Sequence, residues 1–487
     1  MSMSSSDSDE ITASEEKQFV WNGLNFWYFW QDRVADLADD KKNNNRSFSQ
    51  LLNGFHDERS LFDHLIFRQE DDFSWFIDDY EVHEAAQVGT SSSFGFRYGL
   101  AFEVGSTGAN SDKIFGYVQY VVEDSPADRA GLKRGDIFRG IDGQDLTFLN
   151  YINLLSRDQY DLQMATVRLE GDAYRIENRD KTLQVVSETL TENPIHTVYV
   201  HDTGSNKVGY LLYNSFRLNF HEELNNQFGE FRDQGINELV LDLRYNGGGT
   251  LITSALLASM ISGVSKESVF AELRYNSKRS SSSPPPFTFY ENVPIYDDSR
   301  SFINADTKLI SLGLSRVYIL TSSRTASASE TVINGLIPYG VEVVKIGTKT
   351  VGKDDGSITV YDAPGANYSP GANQRSMINQ NHPRAMQPIV FKIVNANNQD
   401  YPDGFPPDIT QSEFNHLEGG LPPLGDPEEH LFKAALAHID GSLLAKEISV
   451  RDVDRTMYLM DSVELTPFHF DQYLIPSDLD RFSLEIE

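Results

Sequence analysis

"TSSRTASASETVINGLIPYG", Thr321 to Gly340, follows a strand-like run, "RVYIL", and leads into a helix-like one. A strand that reaches a polar turn and continues as a helix is the repeating unit of parallel α/β sheets. The stretch holds four serines, Ser322, Ser323, Ser327 and Ser329. A serine at a helix start ordinarily just caps it, its oxygen accepting an N–H that the first turn leaves unpaired. A serine hydroxyl becomes a nucleophile only when a base takes its proton, and no histidine stands near this stretch in sequence. The base, if there is one, comes from elsewhere in the chain.

Working outward, the same unit recurs. "KVGYLLYNSF" reads as a strand, "FHEELNNQFGEFRDQG" as an amphipathic helix and "INELVLDLRYN" as a buried strand. "GGGTLITSALLASMIS" reads as a glycine turn entering a buried helix, and "VEVVKIGT" as the next strand. The alternation, from about His196 to Gly441, predicts an α/β core with parallel strands. The turn Gly247–Gly248–Gly249 is the second notable feature. A glycine-rich helix start exposes N–H groups and the positive end of the helix dipole. By itself it is only a tight turn, and the Lys-Ser/Thr of a phosphate-binding loop is missing. "NSKRSSSSPPPF", Asn276 to Phe287, reads as a long exposed loop.

Upstream the texture changes. "FVWNGLNFWYFWQDRVADLADD" and "SLFDHLIF" space apolar residues by three and four, which predicts a helical region packed on something larger. "VGTSSSFG" reads as a break, followed by short β-like runs such as "YGLAFEV" and "GYVQYVV". Between these runs lies "SPADRAGLKRGDIFRGIDGQDL", with Ser125 as N-cap, Pro126 at the first helical position and Gly131 at the stop. This pattern resembles a PDZ domain. In that family an aromatic-Gly-hydrophobic loop offers backbone N–H groups to a peptide's C-terminal carboxylate. Tyr98, Gly99, Leu100 and Ala101 match that loop. Bunched N–H donors favour an anion, and the open strand edge beside them accepts an added strand.

The 487-residue chain has room for two or three domains and a sizeable core. With 39% hydrophobic residues it is globular, and its formal charge of −31 repels phosphate backbones, so nucleic acid is not an expected partner. It contains no cysteine, which excludes disulfides, thiolate catalysis and zinc–sulfur sites. "LITSALLASMISGV" is too short and too rich in Ser and Thr to span a bilayer. The Ser/Asp/Glu-rich start carries no apolar core of a signal peptide and reads as a flexible tether. The expected location is a bacterial cell envelope, periplasmic or as an outer-membrane lipoprotein, with an export signal or lipid anchor upstream of residue 1.

Taken together, "LDLRYNGGG", "TASASE" and "GTKTVGK", in that order behind a PDZ-like segment, resemble the S41 family of carboxyl-terminal processing proteases. The resemblance covers about Phe94 to Gly441. It implies a multidomain α/β fold: a ClpP/crotonase-like protease core, a β-rich PDZ-like domain and an N-terminal helical region. It implies Ser327 as nucleophile and Lys353 as base, with Ala328 and Gly248 giving backbone N–H groups to the oxyanion. No cofactor and no metal ion are implied. Lysine serves as a base only when neutral, which requires burial to lower its pKa from about 10.4. The chain also departs from the pattern. Asp354 and Asp355 follow the lysine, Ser357 stands where many members carry glutamine, and the helix after Ser327 has no aspartate. The third, orienting group is therefore unassigned.

The expected division is a flexible acidic tether (1–15), a helical region (16–90), a PDZ-like domain (94–190), a protease core (195–442) and an unassigned extension (443–487). The expected activity is a Ser-Lys endopeptidase acting on unfolded or C-terminally recognised protein substrates. A catalytically impaired scaffold that captures peptide C-termini is the alternative. A Ser-His-Asp hydrolase would draw on His382 or His201, but neither falls at a recognisable turn and G-x-S-x-G is absent. His and Asp do not cluster at metal-ligand spacing.

Overall fold

Five parallel strands and one antiparallel edge strand form the central sheet. Its order is Ile195–Asp202, Lys207–Tyr213, Glu238–Asp242, Arg316–Thr321, Glu342–Gly347, Ile409–Thr410. Only the first pairing is antiparallel. The computed structural model describes residues 13–106, 109, 112–279, 285–442, 458–462 and 471–475.

The central strands Glu238–Asp242 and Arg316–Thr321 are apolar in their middles because both faces are covered. Side chains alternate across a strand, so Leu239 and Leu241 join one core while Val240 joins the other. Val317 and Ile319 likewise oppose Tyr318 and Leu320. Helices His221–Gln234 and Leu251–Ser262 cover the first face, and His430–Ile439 covers the second. The helix Leu251–Ser262 is buried along nearly its whole length, which explains its lack of a polar face. Among the described residues no helix is long and apolar enough to cross a membrane.

The N-terminal helix Glu15–Trp27 starts at a Ser14 cap and buries Trp21 and Trp27. The Trp27 indole N–H donates to the Asn367 carbonyl at 2.8 Å. This region is not only helical. The strand Trp75–Ile77 pairs with Ala385–Gln387, so the N-terminal segment is woven into the rest of the fold. The serine run read as a break is a strand, Thr90–Ser93, paired with Glu188–Thr191. Ser91 and Ser92 are exposed and Thr90 and Ser93 only partly covered, so no apolar pattern marks it. The "exposed loop" begins docked: Asn276 is buried and donates to the Tyr28 carbonyl at 2.9 Å. Residues 280–284 of that loop lie outside the described ones.

The PDZ-like sheet runs in the order Tyr458–Asp461, Phe96–Phe102, Ile114–Val121, Ile137–Ile141, Gln159–Glu170, Ala173–Val186. Ser125 caps the short helix Pro126–Arg129 as its sequence requires. A third sheet has the order Gly248–Thr250, Asp471–Leu474, Asp355–Ile358, Ile389–Val394, Val269–Tyr275, Phe287–Thr288. The described parts of the unassigned C-terminal extension are thus strands in two different sheets.

Candidate active site

Two strand-to-helix turns lie side by side, the glycine turn after Asp242 and the serine turn after Thr321. Polar side chains stitch them together. Thr325 Oγ1 donates to the Leu243 carbonyl at 2.8 Å and Ser329 Oγ to the Asn246 carbonyl at 3.2 Å. Ser322 Oγ donates to the Arg244 carbonyl. Two of the four serines are therefore structural ties, and Ser323 is exposed.

Ser327 is fully buried at the N-cap of the helix Ala328–Leu336, with φ 63° and ψ −119°. An ordinary cap has β-region backbone, and a non-glycine residue at positive φ costs about 1–3 kcal/mol unless its surroundings enforce it. What enforces it is Glu330. Its Oε2 accepts the Ser327 N–H at 2.9 Å and the Lys353 N–H at 2.9 Å. Its Oε1 accepts the Gly352 N–H at 2.7 Å and the Thr350 hydroxyl at 2.6 Å. One oxygen shared by two backbone N–H groups fixes the serine turn against the lysine turn. Burial pushes the Glu330 carboxyl up to about 7, against the pull of these four donors. The S-A-S-E motif contains this residue, but nothing in the sequence says that it reaches the lysine turn.

Lys353 is fully buried, and its Nζ lies 4.8 Å from the Phe73 ring centroid. Phe73 comes from the N-terminal region, so that region supplies part of the amine's apolar cover. The chain can reach this place because Gly352 has φ 94° and a Cβ there would fall 2.3 Å from the Pro402 carbonyl oxygen. Asp354 and Asp355 do not face solvent. Both are buried, and Lys392 pairs with Asp354 at 2.8 Å and with Asp355 at 3.2 Å. Burial raises both carboxyls, Asp355 to about 6, against the charges of Lys353 and Lys392 on Asp355 and of Lys392 on Asp354. Ser357 accepts from Gln387 Nε2 at 2.9 Å, so an amide reaches this position from the neighbouring strand.

In the glycine turn, the Gly248 N–H donates to Asn246 Oδ1 at 2.9 Å, and Asn246 Nδ2 donates to the Tyr213 carbonyl at 2.7 Å. Gly248 is thus engaged by its own turn, whereas Ala328 opens a helix whose first N–H groups lack intrahelical acceptors. Gly249 must be glycine: at φ 136° its Cβ would stand 2.3 Å from the Phe216 carbonyl oxygen. The two histidines considered lie elsewhere. His382 meets Asp362 at 3.2 Å and stacks on Phe19, while His201 stacks on Tyr199. Among the described residues no group of His, Asp and Glu could hold a metal ion.

The strand end "LDLRYN" is held by buried charge. Arg244 pairs with Asp242 at 2.7 Å and donates to both Glu429 oxygens at 2.6 and 2.9 Å. Arg134, from the PDZ-like segment, donates to the Tyr245 hydroxyl at 2.6 Å and meets Glu413 at 3.0 Å. Although burial works against its charge, the two arginines hold Glu429 down at about 2. This pairing is complete above the carboxyl's ordinary 4.5 and is lost as pH falls toward 2. Arg244→Ala strands two buried carboxylates and is expected to cost about 3–5 kcal/mol, read as the urea midpoint at constant slope. Unchanged stability would mean the pairs do not hold the turn.

The Tyr98–Ala101 strand pairs on one side with Ile114–Val121 and on the other with the chain's own Tyr458–Asp461. The Tyr98 N–H donates to Ser462 Oγ at 3.2 Å.

Three sequence profiles match the chain: Peptidase family S41 at residues 207–367, the Peptidase S41 N-terminal domain at 15–75 and a PDZ domain at 117–159. The chain is 26% identical over 231 residues to a carboxyl-terminal-processing protease of Picosynechococcus sp., covering 47% of this chain and 48% of that protein. It is 25% identical over 203 residues to a chloroplastic C-terminal processing peptidase of Tetradesmus obliquus, covering 39% of this chain and 42% of that one. It thus spans about half the length of the curated relatives it matches. A solved structure described as an S41 protease, from Bacteroides fragilis, aligns with TM-score 0.65 and 26% identity over 88% of this chain and 98% of that one. With the three profiles in order along the chain and this fold behind them, residues 207–367 match peptidase family S41 and the chain is similar to its members.

Proposed function

We propose that the protein is a serine endopeptidase in which Ser327 is the nucleophile and Lys353 its general base. The observation that carries this reading is the Glu330 oxygen that accepts both the Ser327 and the Lys353 N–H. Neutral Lys353 takes the Oγ proton as the hydroxyl attacks the scissile carbonyl, then gives it to the leaving amine as the C–N bond breaks. A water activated by the same amine releases the acyl group. The oxyanion is stabilised by the Ala328 N–H and by Gly248, whose peptide must turn away from Asn246 to donate. Lys353 is fully buried, and its Nζ lies 4.8 Å from the Phe73 ring centroid. The impaired-scaffold alternative rested on Asp354 and Asp355, and their pairing with Lys392 weakens it.

Substrates are protein chains read through an apolar C-terminus at Tyr98, Gly99, Leu100 and Ala101. A cell-envelope location fits the cysteine-free, acidic composition, and fractionation of expressing cells checks it. The activity test is hydrolysis of casein. Ser327→Ala is expected to abolish it with the melting temperature kept. Ser329→Ala loses only its tie to Asn246, and is expected to cost about 1 kcal/mol of stability and leave turnover. An active Ser327→Ala beside an inactive Ser329→Ala would overturn the assignment.

The two neighbouring carboxylates give a finer expectation. Asp355 has Lys353 among the charges acting on it, whereas the charges acting on Asp354 are Lys392 and Asp400. Removing a negative charge makes the protonated form of a nearby base less favourable, so the rate profile moves to lower pH. Asp355→Asn should therefore shift the profile further than Asp354→Asn. Equal shifts would mean that Lys353 does not sense Asp355.

A further inference from the structure

The C-terminal extension touches both places where a substrate would bind. At the PDZ-like sheet, Tyr458–Asp461 adds antiparallel to the edge strand, with Tyr458 opposite Ala101, Met460 opposite Leu100 and Asp461 opposite Gly99. Its downstream end thus points at Tyr98, where the Ser462 hydroxyl oxygen accepts the N–H expected for a terminal carboxylate. Further on, Asp471–Leu474 enters the third sheet. It pairs in parallel with Gly248–Thr250 on one side and with Ser357 and Ile358 on the other. It therefore lies between the glycine turn and the strand that follows Lys353. A cleft of about 580 Å³ has both ends of this path in its wall: Arg97, Tyr98 and Ser462 on the PDZ side, Gly247, Gly248 and Tyr473 on the other.

The two strands are held unequally. Tyr473, Leu474 and Ile475 are almost fully buried in the main core. Tyr458, Leu459 and Met460 are only half-buried. The first strand adds one buried charge, Asp461, which takes Gln119 Nε2 at 2.5 Å and meets Arg324 of the serine turn at 3.3 Å. The second strand is the more deeply anchored of the two.

We propose that Tyr458–Ser462 is a built-in occupant of the PDZ-like groove, which an extended polypeptide with a free C-terminus must displace to reach Ser327. This deepens the peptidase reading and rests on it for the identity of the reacting site. A tethered strand sits at an effective concentration on the order of mM, so a substrate at lower concentration enters only by binding more tightly. A groove filled nine-tenths of the time lowers apparent affinity about tenfold.

The test uses the full chain with Ser327→Ala, so that nothing is cleaved, with and without Met460→Pro. Proline has no N–H for the ladder and unseats the strand. The probe is a labelled octapeptide of residues 455–462 with a free carboxylate, beside its amidated twin. Binding about tenfold tighter to the Met460→Pro chain, and weaker for the amidated peptide, is the expected result. Equal affinity for both chains, or binding to neither, overturns the proposal. If Met460→Pro lowers the melting temperature, Asp461→Asn replaces it, keeping the strand while removing the charge that faces Arg324. About threefold tighter binding is then expected, and no change overturns the proposal. Since binding is read without a nucleophile, lack of hydrolysis by the wild type would sink the peptidase reading and leave this one standing.

Discussion

Lys353→Arg is expected to stop hydrolysis as completely as Lys353→Ala, a loss on the order of 10⁴-fold or more in kcat. Arginine keeps the positive charge, keeps donors and remains protonated at every working pH. If Lys353 only stabilised the oxyanion as a cation, arginine would preserve much of the rate. If it is the base, arginine is useless, because a permanently protonated group cannot accept the Ser327 proton. The wild-type rate should rise with pH as the base loses its proton and then level off. Activity in Lys353→Arg near that of the wild type would end the dyad and return the question to other bases.

Glu330→Ala is expected to lose both activity and stability. Four donors, the N–H groups of Ser327, Gly352 and Lys353 and the Thr350 hydroxyl, would be left buried without their acceptor. At about 1–3 kcal/mol for each stranded donor, the total is a large part of a typical domain's stability. Glu330→Gln separates charge from shape. It keeps one oxygen but replaces the other by a donor, which then faces a donor on one of the two turns. Turnover should fall about 10²-fold with a smaller stability loss, as expected when a reacting group is misplaced by about 1 Å. Wild-type turnover in Glu330→Gln would show that the clamp does not set the geometry. There is also a pH consequence. Because burial lifts Glu330 to about 7, the anion that holds all four donors is lost as pH falls through that value. A rate limb near 7 therefore belongs to Glu330. It should persist in His382→Ala and in His201→Ala, and its disappearance in either would assign it to that histidine.

Much of this arrangement is legible in the sequence because it is local. Buried strands ending in polar turns identify the α/β core, and Ser125, Pro126 and Gly131 mark the PDZ-like helix by rules that act within a few residues. The site's partners are not local. Phe73 reaches Lys353, Lys392 neutralises Asp354 and Asp355, and Gln387 reaches Ser357 through sheet pairings that no spacing announces. Thr90–Ser93 escapes notice because a two-stranded ribbon of serines has no apolar side to mark it. The tail strands escape for a different reason. Their four residues each are too short for a period, and the waiting edges at Tyr98–Ala101, Gly248–Thr250 and Ser357–Ile358 give them structure.

Whether Ser327 is made nucleophilic by Lys353 is read most directly by covalent labelling with a fluorophosphonate probe, located by mass spectrometry of the digested chain. The dyad predicts one adduct, on Ser327, in the wild type, rising with pH alongside turnover and absent from Lys353→Arg and Lys353→Ala. An adduct on Ser329, or labelling of Ser327 that survives in Lys353→Arg, would contradict it.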